Sequence, residues 1–172
     1  PGRLMGTYAE DCAQAQGFSR ADQDAFAIDS LERARAAIES GVFADEIVSV
    51  TAGTGKRAQS VAQDEQPHRA SIERVPELKP AFRENGTVTA ANASSISDGA
   101  AALLLMRRSE AERRGLAPIA VIHGHAAFAD RPGLFPTAPI GAMKRLAERT
   151  GWSNDTVDLL LLLQLLLLFP MI

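Results

Sequence analysis

Residues 78–106 read LKPAFRENGTVTAANASSISDGAAALLLM. Pro80 and the polar Arg83-Glu84-Asn85-Gly86 open the stretch with a turn, and a β-branched run, Thr87-Val88-Thr89, follows. From Ala90 to Ala102 nearly every side chain is small, and the stretch closes on the apolar Leu103-Leu104-Leu105-Met106. Small side chains let a backbone come close to another segment or to a ligand. Asn92, Ser94, Ser95, Ser97 and Asp98 scatter short hydrogen-bonding groups among them. On spacing alone, this is a tightly packed strand-turn-helix crossing.

The same letters resemble, without a gap, the GTVTAGNAS-x-x-x-DGAAA signature of the thiolases, the acyl-CoA acetyltransferases. Ser19 to Ser30 (SRADQDAFAIDS) resembles the family's SR-x-x-QD-x-FA-x-x-S helix, and Asp64 to Arg69 (DEQPHR) resembles its DEQP-x-R turn. Pro136 to Leu146 resembles a PTAPIGA-x-x-x-L helix, and the likeness as a whole runs from Met5-Gly6 to about Asp158. It implies an α/β chain that is part of the thiolase αβαβα layered fold. Residues 1–97 would form a coenzyme-A-binding loop domain, 98–116 the end of the amino-terminal core domain, and 117–172 the start of the carboxy-terminal domain.

By this resemblance the parent protein is an acetyl-CoA C-acetyltransferase, condensing two acetyl-CoA to acetoacetyl-CoA and coenzyme A, and the reverse. Acyl-CoA is then a substrate, no cofactor is permanently bound, and a homodimer or homotetramer is implied. In the family an upstream cysteine is the nucleophile, and a downstream GGHP-type histidine and C-x-G-type cysteine activate it and move a proton. None of those segments occurs here, so no catalytic residue is assigned. What carries over is coenzyme A binding. Ser94 resembles the serine that hydrogen-bonds the pantetheine arm, and Ala90, Phe82 and Met5 match positions lining the ligand. Arg69 matches a position facing the phosphates, and Phe135 one that shapes the acyl pocket. Leu4 stands where the family has a histidine, removing one polar contact. The rival reading is a non-catalytic coenzyme-A-binding or structural chain, with each of these residues serving only packing.

Bulk properties agree with a soluble globular protein. Of 172 residues, 46% are hydrophobic and 23% charged, and the net charge of −3 offers no attraction to nucleic acid or a membrane surface. A single cysteine, Cys12, excludes an intrachain disulfide and suits a reducing cytoplasm or mitochondrial matrix. With no cationic neighbour in sequence, Cys12 reads as a small buried hydrophobe. The chain begins at Pro1 with no visible targeting segment, which reads as a piece lacking its amino terminus.

Periodicity and caps give the elements. A helix is expected over 7–17, with Thr7 and Glu10 as a capping box and Gly17 ending it. Ser19 and Asp22 start a longer helix that stops at Gly41, with Ala27, Leu31, Ala34 and Ile38 as its apolar stripe, widened by Phe26 and Ala37. Strands are expected at Glu46–Thr51 and Pro118–Ala126, and short helices after Ser109 and Thr137, ending at Gly115 and Gly151. The alternation argues for parallel pairing. Gly53-Thr54-Gly55-Lys56 lacks the first glycine and the Ser/Thr of a phosphate loop. His123 and His125 share a strand face, so a metal pair is geometrically possible, but no third ligand is evident and no metal is assigned.

The resemblance fails after Asp158. Leu163 and Gln164 stand where the family's N-E-A-F motif has asparagine and glutamate, and leucine cannot hold the water of an oxyanion hole. The run is about half the ~20 apolar residues of a helical membrane span. A run of one residue type does not specify a packed core either. We read these letters as leucine written for uncertain side chains, with a frameshift as the competing account; sequencing the coding DNA decides between them.

Overall fold

A computed structural model describes residues 2–158. The leucine-rich segment and its Leu163 and Gln164 lie outside the described residues. The chain divides into two units, one of residues 13–93 and one formed by 1–12 with 94 onward, the divide falling inside the first helix.

Within residues 13–93 the main element is α2, Arg20–Ser40. Its start follows from the sequence: the Ser19 hydroxyl accepts the Asp22 amide proton and the Asp22 carboxylate accepts that of Ser19, each at 3.1 Å. At its end Gly41 takes φ +69°, a conformation costly for any residue with a Cβ. Ala27, Leu31, Ala34, Ala37 and Ile38 are half-buried, whereas Phe26 is exposed and does not widen the stripe. α2 packs on a 3-10 turn, Ile72–Glu77, and on α3, Gln66–Arg69.

Between α2 and α3 lies a hairpin of β1 (Val50–Ala52) and β2 (Gln59–Val61), antiparallel with Thr51 opposite Ser60. It is the only sheet among the described residues, so the expected parallel pairing does not occur within them. The expected strand at Glu46–Thr51 is confined to its last residues. The turn explains the glycines of Gly53-Thr54-Gly55-Lys56. Gly53 has φ +82°, and a Cβ there would stand 2.7 Å from the Arg57 carbonyl oxygen.

α1 (Met5–Gln16), which the divide crosses, begins two residues before the expected cap. Thr7 is inside the helix, its hydroxyl donating to the Leu4 carbonyl at 2.7 Å. α4 spans Arg108–Arg113, with Arg107 at the cap position in place of Ser109; Glu110 holds Arg113 and Arg114. α5 spans Ala138–Thr150 after a 3-10 turn, Pro132–Thr137. Thr137 sits at its start, but its hydroxyl donates to the Leu134 carbonyl, so it does not cap.

Pro118–Ala126 and 87–89 are not strands. β-branched composition supplies propensity, but a strand exists only where a neighbour takes its N–H and C=O groups. Around 125–127 the neighbour is a helix: Arg149 and Arg145 of α5 donate to the carbonyls of His125 and Ala127 at 3.0 and 2.9 Å. At 87–89 it is a turn, the Ala81 amide donating to the Val88 carbonyl at 2.8 Å.

Replacing Ser19 with alanine is expected to destabilise the fold by about 1 kcal/mol in urea unfolding, with Ser19→Asn near neutral. The hydrogen bonds from the Ser19 hydroxyl and amide hold the Asp22 carboxyl below its ordinary pKa. The cap's contribution is therefore complete above a free aspartate's value of about 3.9 and lost as pH falls through the lower folded value. Ser19→Ala should flatten this acid limb of the stability profile.

Candidate functional site

In the unit of residues 13–93, arginines of α2 hold the loops that carry the candidate residues. Arg20 pairs with Asp24 at 2.7 Å and donates to the carbonyls of Val75 and Leu78 at 3.1 and 2.9 Å. It thereby fixes the turn leading into Lys79-Pro80. Arg35 donates to the Pro67 and Ala70 carbonyls at 2.7 and 2.6 Å, placing a cation at the carboxyl end of α3. Arg69 ends α3, exposed and paired with Glu65 at 2.8 Å.

The Ala81 amide donates to the Val88 carbonyl at 2.8 Å, closing the turn of Arg83-Glu84-Asn85-Gly86, where Asn85 has φ +57°. Phe82 is half-buried on this turn and lines a hollow of about 430 Å³ formed by Lys79 to Asn85. Val88 and Thr89 are buried, while Ala90, next along the chain, is exposed. The structure thus brings Phe82 and Ala90 into one hydrogen-bonded loop. Arg69 belongs to a separate, Arg35-held turn.

Met5, Ser94 and Phe135 belong to the other unit. Met5 opens α1, and Tyr8, one turn on, meets the Phe135 ring edge-on at 6.0 Å. The Arg3 guanidinium lies 4.5 Å from the centre of the Tyr8 ring and pairs with Asp11 at 2.7 Å. Tyr8 therefore braces Phe135 from the helix that Met5 opens, a role the sequence hinted at only by its place three residues after Met5. Ser94 is half-buried just after the Ala90–Ala93 turn. Cys12 is half-buried too, and burial pushes its thiol pKa up. His123 tilts against Trp152 at 5.7 Å, and the described residues contain no group of three or more His, Cys, Asp or Glu placed to hold a metal ion. No helix among them is long and apolar enough to cross a membrane.

The chain has relatives among known proteins. The family profile described as "Thiolase, N-terminal domain" matches residues 2–109. An acetyl-CoA acetyltransferase from Paracoccus denitrificans is 46% identical over 156 residues, which are 90% of this chain and 40% of that protein. The crystal structure of the Bacillus anthracis acetyl-CoA acetyltransferase superposes with a TM-score of 0.85 at 38% identity, covering 91% of this chain and 40% of that one. A thiolase from Ascaris suum, solved in complex with coenzyme A, gives 0.83 at 36% identity, with the same coverage of 91% and 40%. The chain thus spans about two fifths of the length of the relatives it matches.

Two outcomes follow from the local chemistry. Arg35→Ala is expected to speed proteolysis and amide exchange across 64–71, and Arg35→Lys should not restore protection, because one ammonium does not reproduce the two-pronged donation. Cys12 should react with iodoacetamide more slowly than a free thiol at pH 8, since burial disfavours the thiolate.

Proposed function

Because this chain belongs to the thiolase family, we propose that the protein carrying it is an acetyl-CoA C-acetyltransferase, interconverting two acetyl-CoA with acetoacetyl-CoA and coenzyme A. The observation that carries this reading is the ungapped signature of residues 78–102, whose first part, up to Asn92, α2 holds in place. The likeness to a thiolase solved with coenzyme A supports the ligand. A cysteine thioester would carry the acetyl group, and a second cysteine would move the proton of carbon–carbon bond formation. Neither motif lies in these residues, so their share is to bind and orient the acyl carrier.

In this reading the Ser94 hydroxyl hydrogen-bonds an amide of the pantetheine arm. Ala90 and Phe82 offer the ligand apolar surface in their unit, small at Ala90 so that the backbone can approach, and Met5 offers it in the other. Phe135, braced by Tyr8, bounds the acyl pocket. Arg69 offers the phosphates the guanidinium donors that Glu65 leaves over. Longer 3-ketoacyl substrates, a part in fatty acid metabolism, and a homodimeric or homotetrameric assembly belong to the same proposal.

The test is thiolysis of acetoacetyl-CoA by the full-length protein. Ser94→Ala is expected to raise KM for coenzyme A about tenfold, the worth of one hydrogen bond, with little change in kcat. Coenzyme A binding without turnover would favour the non-catalytic carrier reading. Absence of both would overturn the proposal.

A further inference from the structure

Two motifs of the sequence, the Gln23-Asp24 pair of α2 and the Thr87-to-Asn92 loop, are each other's hydrogen-bond partners. Asp24 is buried, 6% exposed, and its carboxylate accepts from Arg20 Nε at 2.7 Å and from Asn92 Nδ2 at 3.3 Å. Asn92 Nδ2 also donates to the Thr87 carbonyl at 3.0 Å, and Asn92 Oδ1 accepts the Thr89 amide proton at 2.7 Å. The Thr89 hydroxyl, on a residue with no exposed surface, accepts the Ala91 amide proton at 3.2 Å. Gln23 Nε2 donates to the Thr87 hydroxyl at 2.9 Å.

The side-chain amide is uniquely suited to this place. The Thr89 amide can only donate, so an oxygen must face it; the carboxylate and the carbonyl can only accept, so an NH₂ must face them. Asparagine has both on one planar group. Aspartate would set two carboxylates together in a buried place, and alanine would leave the Thr89 amide without its partner. Ala90, exposed, stands between the two amides that this network fixes.

We propose that Asp24 and Asn92 are a positioning pair that holds the Ala90 loop in its coenzyme-A-binding shape before the ligand arrives. This rests on the coenzyme A reading above. A loop held in advance loses less entropy on binding, so the pair acts on affinity for the ligand. The chemical step does not involve it.

The test compares the full-length protein with its Asn92→Asp, Asp24→Asn and double variants. Asn92→Asp should raise KM and Kd for coenzyme A about tenfold at nearly unchanged kcat. The double variant should recover part of that loss. In it the amide introduced on α2 donates to the carboxylate introduced on the loop, which still accepts from the Thr89 amide but leaves the Thr87 carbonyl without its donor. In the ligand-free, unsubstituted protein the Thr89 and Ala91 amides should be protected from hydrogen exchange. A KM unmoved by Asn92→Asp, a double variant as impaired as the single one, or unprotected Thr89 and Ala91 amides overturns the pairing. Lack of any coenzyme A binding by the unsubstituted protein overturns the coenzyme A reading, and the positioning role with it.

Discussion

A carboxylate taken out of water must be given partners, and Asp24 is the place where this chain meets that requirement. Moving an ionised carboxylate into a poorly solvated site costs several kcal/mol unless charge and hydrogen bonds replace the water. Arg20, one turn earlier on α2, supplies the charge, and Asn92 supplies a further donor. Neither partner serves Asp24 alone. Arg20 extends to the carbonyls that precede Lys79, and Asn92 to both sides of the loop around Ala90. A single buried group thus ties a helix to two segments more than fifty residues further along the chain.

The consequence for function lies in the backbone. On the proposed reading the loop presents an alanine and a phenylalanine to the ligand, offering mainly surface and close approach, so its worth depends on holding its shape. Small residues cannot hold it by packing, because they have little area to bury. Hydrogen bonds from side chains on a capped helix do that instead, and the capping box at Ser19 and Asp22 sets where that helix begins. The affinity expected for an acyl carrier is thus linked to a helix terminus that need not touch it.

Other parts of the chain show the opposite situation. Leu103, Leu104 and Ile119 are 86%, 81% and 105% exposed. Apolar runs of this kind suit strands covered on both faces, and the described residues include no strand to pair with them.

The sequence by itself determined what depends on near neighbours. The start of α2 at Ser19, its end at Gly41, the end of α5 at Gly151 and the family membership were all legible, because caps, left-handed glycines and ungapped motifs are local. Where it misled, the competing effect was also local: the hydroxyls of Thr7 and Thr137 turned to carbonyls three residues back instead of capping. Composition favours strands at Pro118–Ala126 and 87–89, but it reports a preference for a sheet and not the presence of a neighbour. Only the tertiary structure decided that Asp24 meets Asn92, that Arg35 holds the turn of Arg69, and that Tyr8 braces Phe135. Such pairings join residues 32 to 68 apart in two of those cases and farther in the third, and no periodicity or propensity encodes them. The first two exist because a buried carboxylate and orphaned carbonyls must find donors wherever the folded chain brings them, and the third because two rings meet edge to face.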